Sequence, residues 1–290
     1  MRVTDALRYE SVRRALQGAA QKHAEAARQA SSGSRLESPA NDPVAAADLA
    51  RVSAQKQRVD TQRKTVASVA GDLGLAEAAL AESSDLLARA KELAMQGANG
   101  SLSASERSVL AKQVGELRSA LAALGNTKGA RGYLFAGSQT ANPPFSTAGA
   151  FSGDDQEFVV DVGSGPTGVG ASGAQAFTTA GGRDVFQDLT ALESALNLND
   201  PVQVAATLDH LEADRAQIGE ERGRIGLKQE KLDTSDLLLE DASLSFAESA
   251  EKIGSADPFE AFSRMTELAQ TLERSVAVSK QLLDLGSLWR

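Results

Sequence analysis

Bulky apolar residues recur every seven positions from Val204 through Leu211, Ile218, Ile225, Leu232, Leu239 and Phe246 to Ile253. A period near 3.5 keeps one narrow seam of a helix facing a partner helix, so the run predicts a single helix from Pro201 to Ile253. At ~1.5 Å per residue that helix is about 80 Å long, wider than a compact domain of this mass, which favours a rod over a helix buried in a globular bundle. The positions four residues on from each seam residue are Leu208, Arg215, Arg222, Gln229, Asp236, Ser243 and Ala250. Most are polar, which argues against an ordinary two-stranded zipper.

Elsewhere the same periodicity is thinner. Residues 1–31 place Tyr9, Val12, Leu16, Ala19, His23, Ala26 and Ala30 on one stripe, which buries little. Such an arm is expected to stay frayed until it finds a partner, and Gly33 ends it. Asp42 and Pro43 read as an N-cap and first-turn pair. The helix they open carries Leu49, Val52, Val59, Val66, Val69, Leu73, Ala76, Leu80, Leu87 and Ala94 to about Gln96, before the break at Gly97 to Gly100. Ser103 and Glu106 form a capping box for a further helix through Leu110, Val114, Leu117, Leu121 and Leu124 to about Gly129. These two should form an antiparallel hairpin with the long helix as third member.

A last helix opens at Asp257, Pro258 and Glu260. It carries two adjoining stripes, Phe262, Met265, Ala269, Leu272, Val276 and Leu283 beside Leu268, Val278, Leu282, Leu285 and Trp289. Two stripes on one helix require more than one partner helix.

Between the helical halves, residues 132–182 hold eleven glycines and three prolines. Tyr133 to Ala136 and Glu157 to Val162 read as strands of a small β-rich insert. With few aromatics it should be marginal alone and lean on the helices or on neighbouring copies. The expected organisation is an assembly helix and loop (1–43), the first half of a helical shaft (44–130), the insert (131–183), the second half of the shaft (184–254) and a C-terminal assembly helix (255–290).

Composition fits an extended shape, since 42% of residues are hydrophobic but only 4% aromatic. A net charge of −9 makes nucleic acid and anionic membrane poor partners. No apolar run reaches the ~18 residues that span a bilayer. Charges at Arg2, Asp5, Arg8 and Glu10 leave no apolar signal region, which argues against Sec export. The absence of cysteine removes disulfide and thiol chemistry. Charge also separates the ends: residues 1–35 carry seven basic against three acidic side chains, and residues 233–290 five against eleven. Net values of +4 and −6 favour pairing of the two arms, although an exposed ion pair contributes only about 0–1 kcal/mol.

Catalytic constellations are not found. Gly163, Gly165 and Gly168 match the spacing of a dinucleotide loop, but Pro166, Gly170 and Gly173 forbid the helix that must follow. His23 and His210 lack companions at metal-ligand spacing. His23 reads as an interface side chain, His210 as solvated beside the long seam. Asp154 and Asp155 lack the alternating oxygen ligands of a cation loop and read as a turn. No enzyme activity, metal or cofactor is expected.

Two segments carry a family resemblance. Ser32 to Ala47, SGSRLESPANDPVAAA, with Gly33, Arg35, Asp42 and Pro43, resembles the signature after the first helix of the flagellin superfamily. Arg131 to Ser146, RGYLFAGSQTANPPFS, with Leu134, Phe135, Gly137, Pro144 and Phe145, then Phe151, Gly153, Asp154, Ala176 and Phe177, resembles the flagellar hook-associated proteins more narrowly. The chain departs from the family in ending Gly286, Ser287, Leu288, Trp289, Arg290 where a Ser-Leu-Leu type ending is commoner.

The resemblance implies a mainly α fold, an elongated flagellin-like rod of long helices from both chain ends with a small β-rich central insert. It further implies a structural subunit that joins hook to filament outside the cell, exported unfolded by the flagellar type III apparatus with an uncleaved N-terminus as signal. Its terminal helices would self-associate in a tubular ring through Tyr9, Val12, Leu16, His23, Phe262, Met265, Leu268, Leu272, Val276, Leu282, Leu283, Leu285 and Trp289. Neighbouring hook-associated protein, flagellin and a cytoplasmic export chaperone would be partners. Two other readings remain open, a filament flagellin and a soluble coiled-coil secreted scaffold.

Overall fold

The computed structural model describes residues 2–36, 38–40, 42–163 and 165–287. The elements run α1 (Arg2–Ser32), α2 (Pro43–Gly97), α3 (Ala104–Gly125), β1 (Lys128–Gly129), β2 (Gly132–Tyr133), β3 (Val159–Asp161), β4 (Pro166–Gly168), α4 (Gly173–Phe177), α5 (Val185–Asn197), α6 (Pro201–Gly254) and α7 (Pro258–Ser287). The fold is mainly α, with two short antiparallel hairpins, β1–β2 and β3–β4. It forms two compact units, residues 1–58 with 242–290 and residues 59–241. Among the described residues, no helix is long and apolar enough to cross a membrane.

The core of the second unit is the seam read from the sequence. Val204, Leu211, Ile218, Ile225 and Leu232 are fully buried, and Leu239 nearly so, against Val66, Val69, Leu73, Leu80 and Leu87 of α2. Cross-helix ion pairs set an antiparallel register: Arg63 Nε to Asp236 at 3.0 Å, Arg222 Nη2 to Glu77 at 2.6 Å, and Lys91 to Glu212. Arg222 and Asp236, polar positions four on from the seam, thus serve as its charged edge. The second buried stripe lies three residues on from the seam instead, at Thr207, Asp214, Glu221 and Ser235.

From Glu221 onward that stripe is polar because it meets backbone rather than a helix. Glu221 Oε1 accepts from Ser172 N–H at 2.9 Å, Lys228 Nζ donates to Gly170 O at 2.7 Å, and Ser235 Oγ donates to Val162 O. The Gln217 amide donates to the carbonyls of Ala176, Thr178 and Arg183 and accepts from Arg183 N–H at 2.8 Å. A segment with few ladder bonds of its own has its carbonyls and amides satisfied by one face of α6.

The insert differs from its sequence reading in two ways. Its strands are shorter: of the first only Tyr133 pairs, in β2 with Gly132, and of the second only Val159–Asp161. It is also not poor in aromatic packing. Phe145 sits 5.1 Å from Phe151, 5.3 Å from Phe177 and 5.2 Å from Phe186, and Phe135 meets Phe177 edge-on at 5.7 Å. Each buried ring contributes about 1.5–3 kcal/mol, and each pair about 0.5–1.5 kcal/mol more. Gly163 and Gly165 belong to the β3–β4 turn and Gly168 to β4, with no helix opening on them.

Two helical boundaries also shift. α3 stops at Gly125, where Asn126 turns its side chain to Phe145, donating to its carbonyl at 2.8 Å and accepting from its N–H at 2.9 Å. α5 is a separate helix opened by Asp184, whose carboxylate accepts from Gln187 N–H, and it packs against α3. The helical hairpin therefore gains a fourth member.

Candidate assembly interface

In the first unit α1 packs against α7, and an antiparallel bridge joins Ser34 to Ser255 where the two arms meet the rest of the chain. Gly33 makes the turn possible, with φ +67, a conformation that costs a side-chain-bearing residue about 1–2 kcal/mol. The arms are then clasped by backbone: Arg35 N–H donates to Gly254 O at 2.8 Å and Ala256 N–H to Gly33 O at 2.9 Å. The Arg35 guanidinium doubles the link, with Nη2 at 3.0 Å and Nε at 3.3 Å from Ile253 O. Asp42 lies 3.9 Å from the same guanidinium and caps α2 by accepting from Ala45 N–H at 3.0 Å, with Pro43 as first helical residue. Asp257 caps α7, accepting from Phe259 N–H at 2.8 Å.

The pairing is shallow. Among the described side chains of α1 only Ala26 is buried, while Val12, Leu16 and His23 are half-buried. On α7 Ala261 is buried and Met265, Leu268 and Leu272 are half-buried. Apolar side chains face outward: Tyr9 is 60% exposed, Phe262 56% and Phe259 85%, with Val276 and Val278 also open. The side chains of Leu282, Leu283 and Leu285 fall outside what is described, and Trp289 lies outside the described residues altogether. Charge acts partly within α1, where Arg13 and Arg14 both reach Glu10, at 3.7 and 3.6 Å, in exposed pairs of small energetic weight.

The insert motif forms a second, buried constellation. Phe135 and Phe145 belong to the ring cluster, Pro144 is buried and its carbonyl accepts from Ser152 N–H at 2.8 Å, and Leu134 is half-buried. Gly137, at φ +67, lies so close to Asp154 that a Cβ would sit 2.1 Å from its Oδ1. Asp154 closes this turn by accepting from the Ser138 hydroxyl, from Ser138 N–H at 2.8 Å and from Gln156 N–H at 3.1 Å. Those donors, the Ser138 hydroxyl foremost, hold its carboxyl below the ordinary aspartate value. Gly153 backs onto the Phe151 ring and Ala136 O.

Several residues the sequence reading passed over carry weight. His210 is not simply solvated: it is 45% exposed in its side chain, with Nδ1 3.1 Å from Asp188 Oδ1. Arg107 is buried and donates to the carbonyls of Gly97, Asn99 and Leu102 and to Asn199 Oδ1. The polar stripe at Thr207, Asp214, Glu221, Lys228 and Ser235 did have a signal, its own seven-residue spacing.

Comparison with known proteins points the same way for the N-terminal part of the chain. Residues 5–140 match the family described as bacterial flagellin N-terminal helical region. More narrowly, the chain resembles flagellar hook-associated protein 3. It is 30% identical over 183 residues to the protein of that name from Salmonella typhimurium, covering 62% of this chain and 57% of that one. The Escherichia coli protein of the same name is 35% identical over 120 residues, 41% of this chain and 38% of its own. The chain thus spans little more than half the length of the first relative and less of the second. Its fold is shared with the solved structure of a putative flagellar hook-associated protein from Vibrio parahaemolyticus, at TM-score 0.68 and 21% identity, over 74% of this chain and 100% of that one.

Proposed function

We propose that this chain is a structural subunit of the bacterial flagellum that joins hook to filament, assembling as a multi-copy tubular ring through its terminal helices. The observation that carries the reading is the α1–α7 pair, clasped at its root by Gly33, Arg35 and Gly254 yet presenting Tyr9, Phe259 and Phe262 to solvent. Apolar side chains held in register on a shallow two-helix pair have area left for further helices, and a ring of copies supplies them. The likeness to two proteins named flagellar hook-associated protein 3 supports a ring at the junction, where hook-associated protein and flagellin would be its neighbours. The exposed Phe262, Val276 and Val278 of α7 belong to the surface an export chaperone would cover before secretion.

Immunogold labelling of isolated flagella tests the placement: a single narrow band at the base of the filament is expected. Deleting residues 259–290 should leave a soluble helical protein that no longer enters flagella, and normal incorporation of that truncation would refute the role of the arms. The match of residues 5–140 to the flagellin N-terminal region keeps a second reading, filament flagellin, in play. Seeding with filament fragments separates the two, because a filament subunit grows long tubes and a junction subunit stops.

A further inference from the structure

Where the chain returns from the insert to α5, two carboxyl groups converge on one guanidinium. Arg183 holds Asp188 through Nε at 2.9 Å and Nη2 at 2.8 Å, and its Nε also stands 3.5 Å from Asp214 Oδ1. Asp214 is fully buried, and neither of its oxygens receives a hydrogen bond. One turn further along α6, Gln217 grips the same return segment through the carbonyls of Ala176, Thr178 and Arg183. A sealed carboxylate without donors is costly when ionised, whereas its protonated form can donate to a neighbouring carboxylate.

We propose that Asp214, sealed beside Asp188 and Arg183, keeps a proton in the folded protein and acts as a pH-sensitive latch that holds the return segment, residues 176–184, against α5 and α6. The groups facing Asp214 are Arg183 and Asp184 from the return segment, Asp188 from α5, and His210, which reaches the pair through Asp188. On the α2 side of α6, Glu212 is instead engaged by Lys91 and Arg215. Burial first, and the Asp188 charge second, push the Asp214 carboxyl up to about 8, with Arg183 opposing.

The direction of the switch follows from that arrangement. When the segment opens, Asp214 meets water and returns to an ordinary carboxylate value of about 4. The closed form keeps the proton to about 8. Between those values closing takes up one proton, so the ratio of closed to open falls about tenfold for each pH unit gained, and the dependence ends above the upper value. The segment is therefore held in acid and neutral surroundings and loosened in alkaline ones.

Hydrogen exchange of the full chain, followed by mass spectrometry on peptides covering 176–184 and corrected for intrinsic rates, tests this from about pH 6 to about pH 9. The wild-type chain should lose protection about tenfold per pH unit until about pH 8 and then level off, while Asp214→Asn, which cannot ionise, should show no such slope. A flat wild-type profile, or an unchanged slope in Asp214→Asn, overturns the latch. Should that variant not fold, carboxyl NMR of the wild-type chain decides. One aspartate titrating at about 8 sustains the proposal, and titration of every aspartate below about 6 overturns it.

Discussion

Arg107 shows how much one side chain can organise. Its guanidinium is sealed from water without a carboxylate, and its charge is instead spread over Gly97 O at 2.8 Å, Asn99 O at 2.7 Å, Leu102 O at 3.0 Å and the Asn199 side chain. Arg107→Met should destabilise the second unit by about 3 kcal/mol, read as a lower urea midpoint, because the buried Gly97 carbonyl and the partly buried Leu102 carbonyl and Asn199 amide oxygen would lose this donor, while Asn99 O would keep only the Leu102 N–H. Arg107→Lys should recover less than half of the loss, since one ammonium cannot cover the span of a planar fork. Gly137 makes the opposite case, where any side chain is one too many. Gly137→Ala should cost more than ~1 kcal/mol in the same measurement, through its positive φ and the Asp154 oxygen 2.1 Å from the new carbon. Neither role is visible in sequence. Arg107 reaches carbonyls, which every residue has, and one partner lies 92 positions away; only the fold brings them into range.

At the scale of elements, α6 was legible on one face and opaque on the next. Its apolar seam declares itself because burial against another helix demands large hydrocarbon side chains at a fixed period. The polar stripe beside it repeats just as regularly, yet a buried glutamate or glutamine looks in sequence like a solvated one until the backbone it serves is known. The insert was foreseen as Gly-rich and β-like, but its short strands were not, because its order comes from Gln217, Glu221 and Lys228 and from the ring cluster rather than from ladder pairing. The seam and its surroundings separate in a simple comparison. Ile225→Ala should cost about 3 kcal/mol of stability, the usual toll for emptying a filled core site, whereas Leu227→Ala, two residues on and 68% exposed, should stay within about 0.5 kcal/mol.

For the whole molecule, the contrast between the two units bears most directly on function. Residues 59–241 hold the large buried side chains from Leu80 to Leu232, while among the described side chains of α1 and α7 little is buried beyond Ala26 and Ala261. Helices of 31 and 30 residues with so thin a joint stabilisation should open far more often than the core helices. Amide exchange in the dilute full chain is therefore expected to be complete in α1 and α7 within minutes and to take many hours at Ile218 and Ile225, with the arms becoming protected once copies assemble. Equal protection of arms and core in the free chain would mean that the arms are already in their final state and that assembly adds no order. On the proposed reading Phe262 serves assembly rather than folding. At 56% exposure it contributes little to the isolated chain, so Phe262→Ser should leave the unfolding midpoint unchanged within about 0.5 kcal/mol while sharply reducing incorporation into flagella. A variant that unfolds early would place Phe262 in the core of the helix pair instead, and the outward apolar surface would then have to be sought on Tyr9, Phe259 and Val278.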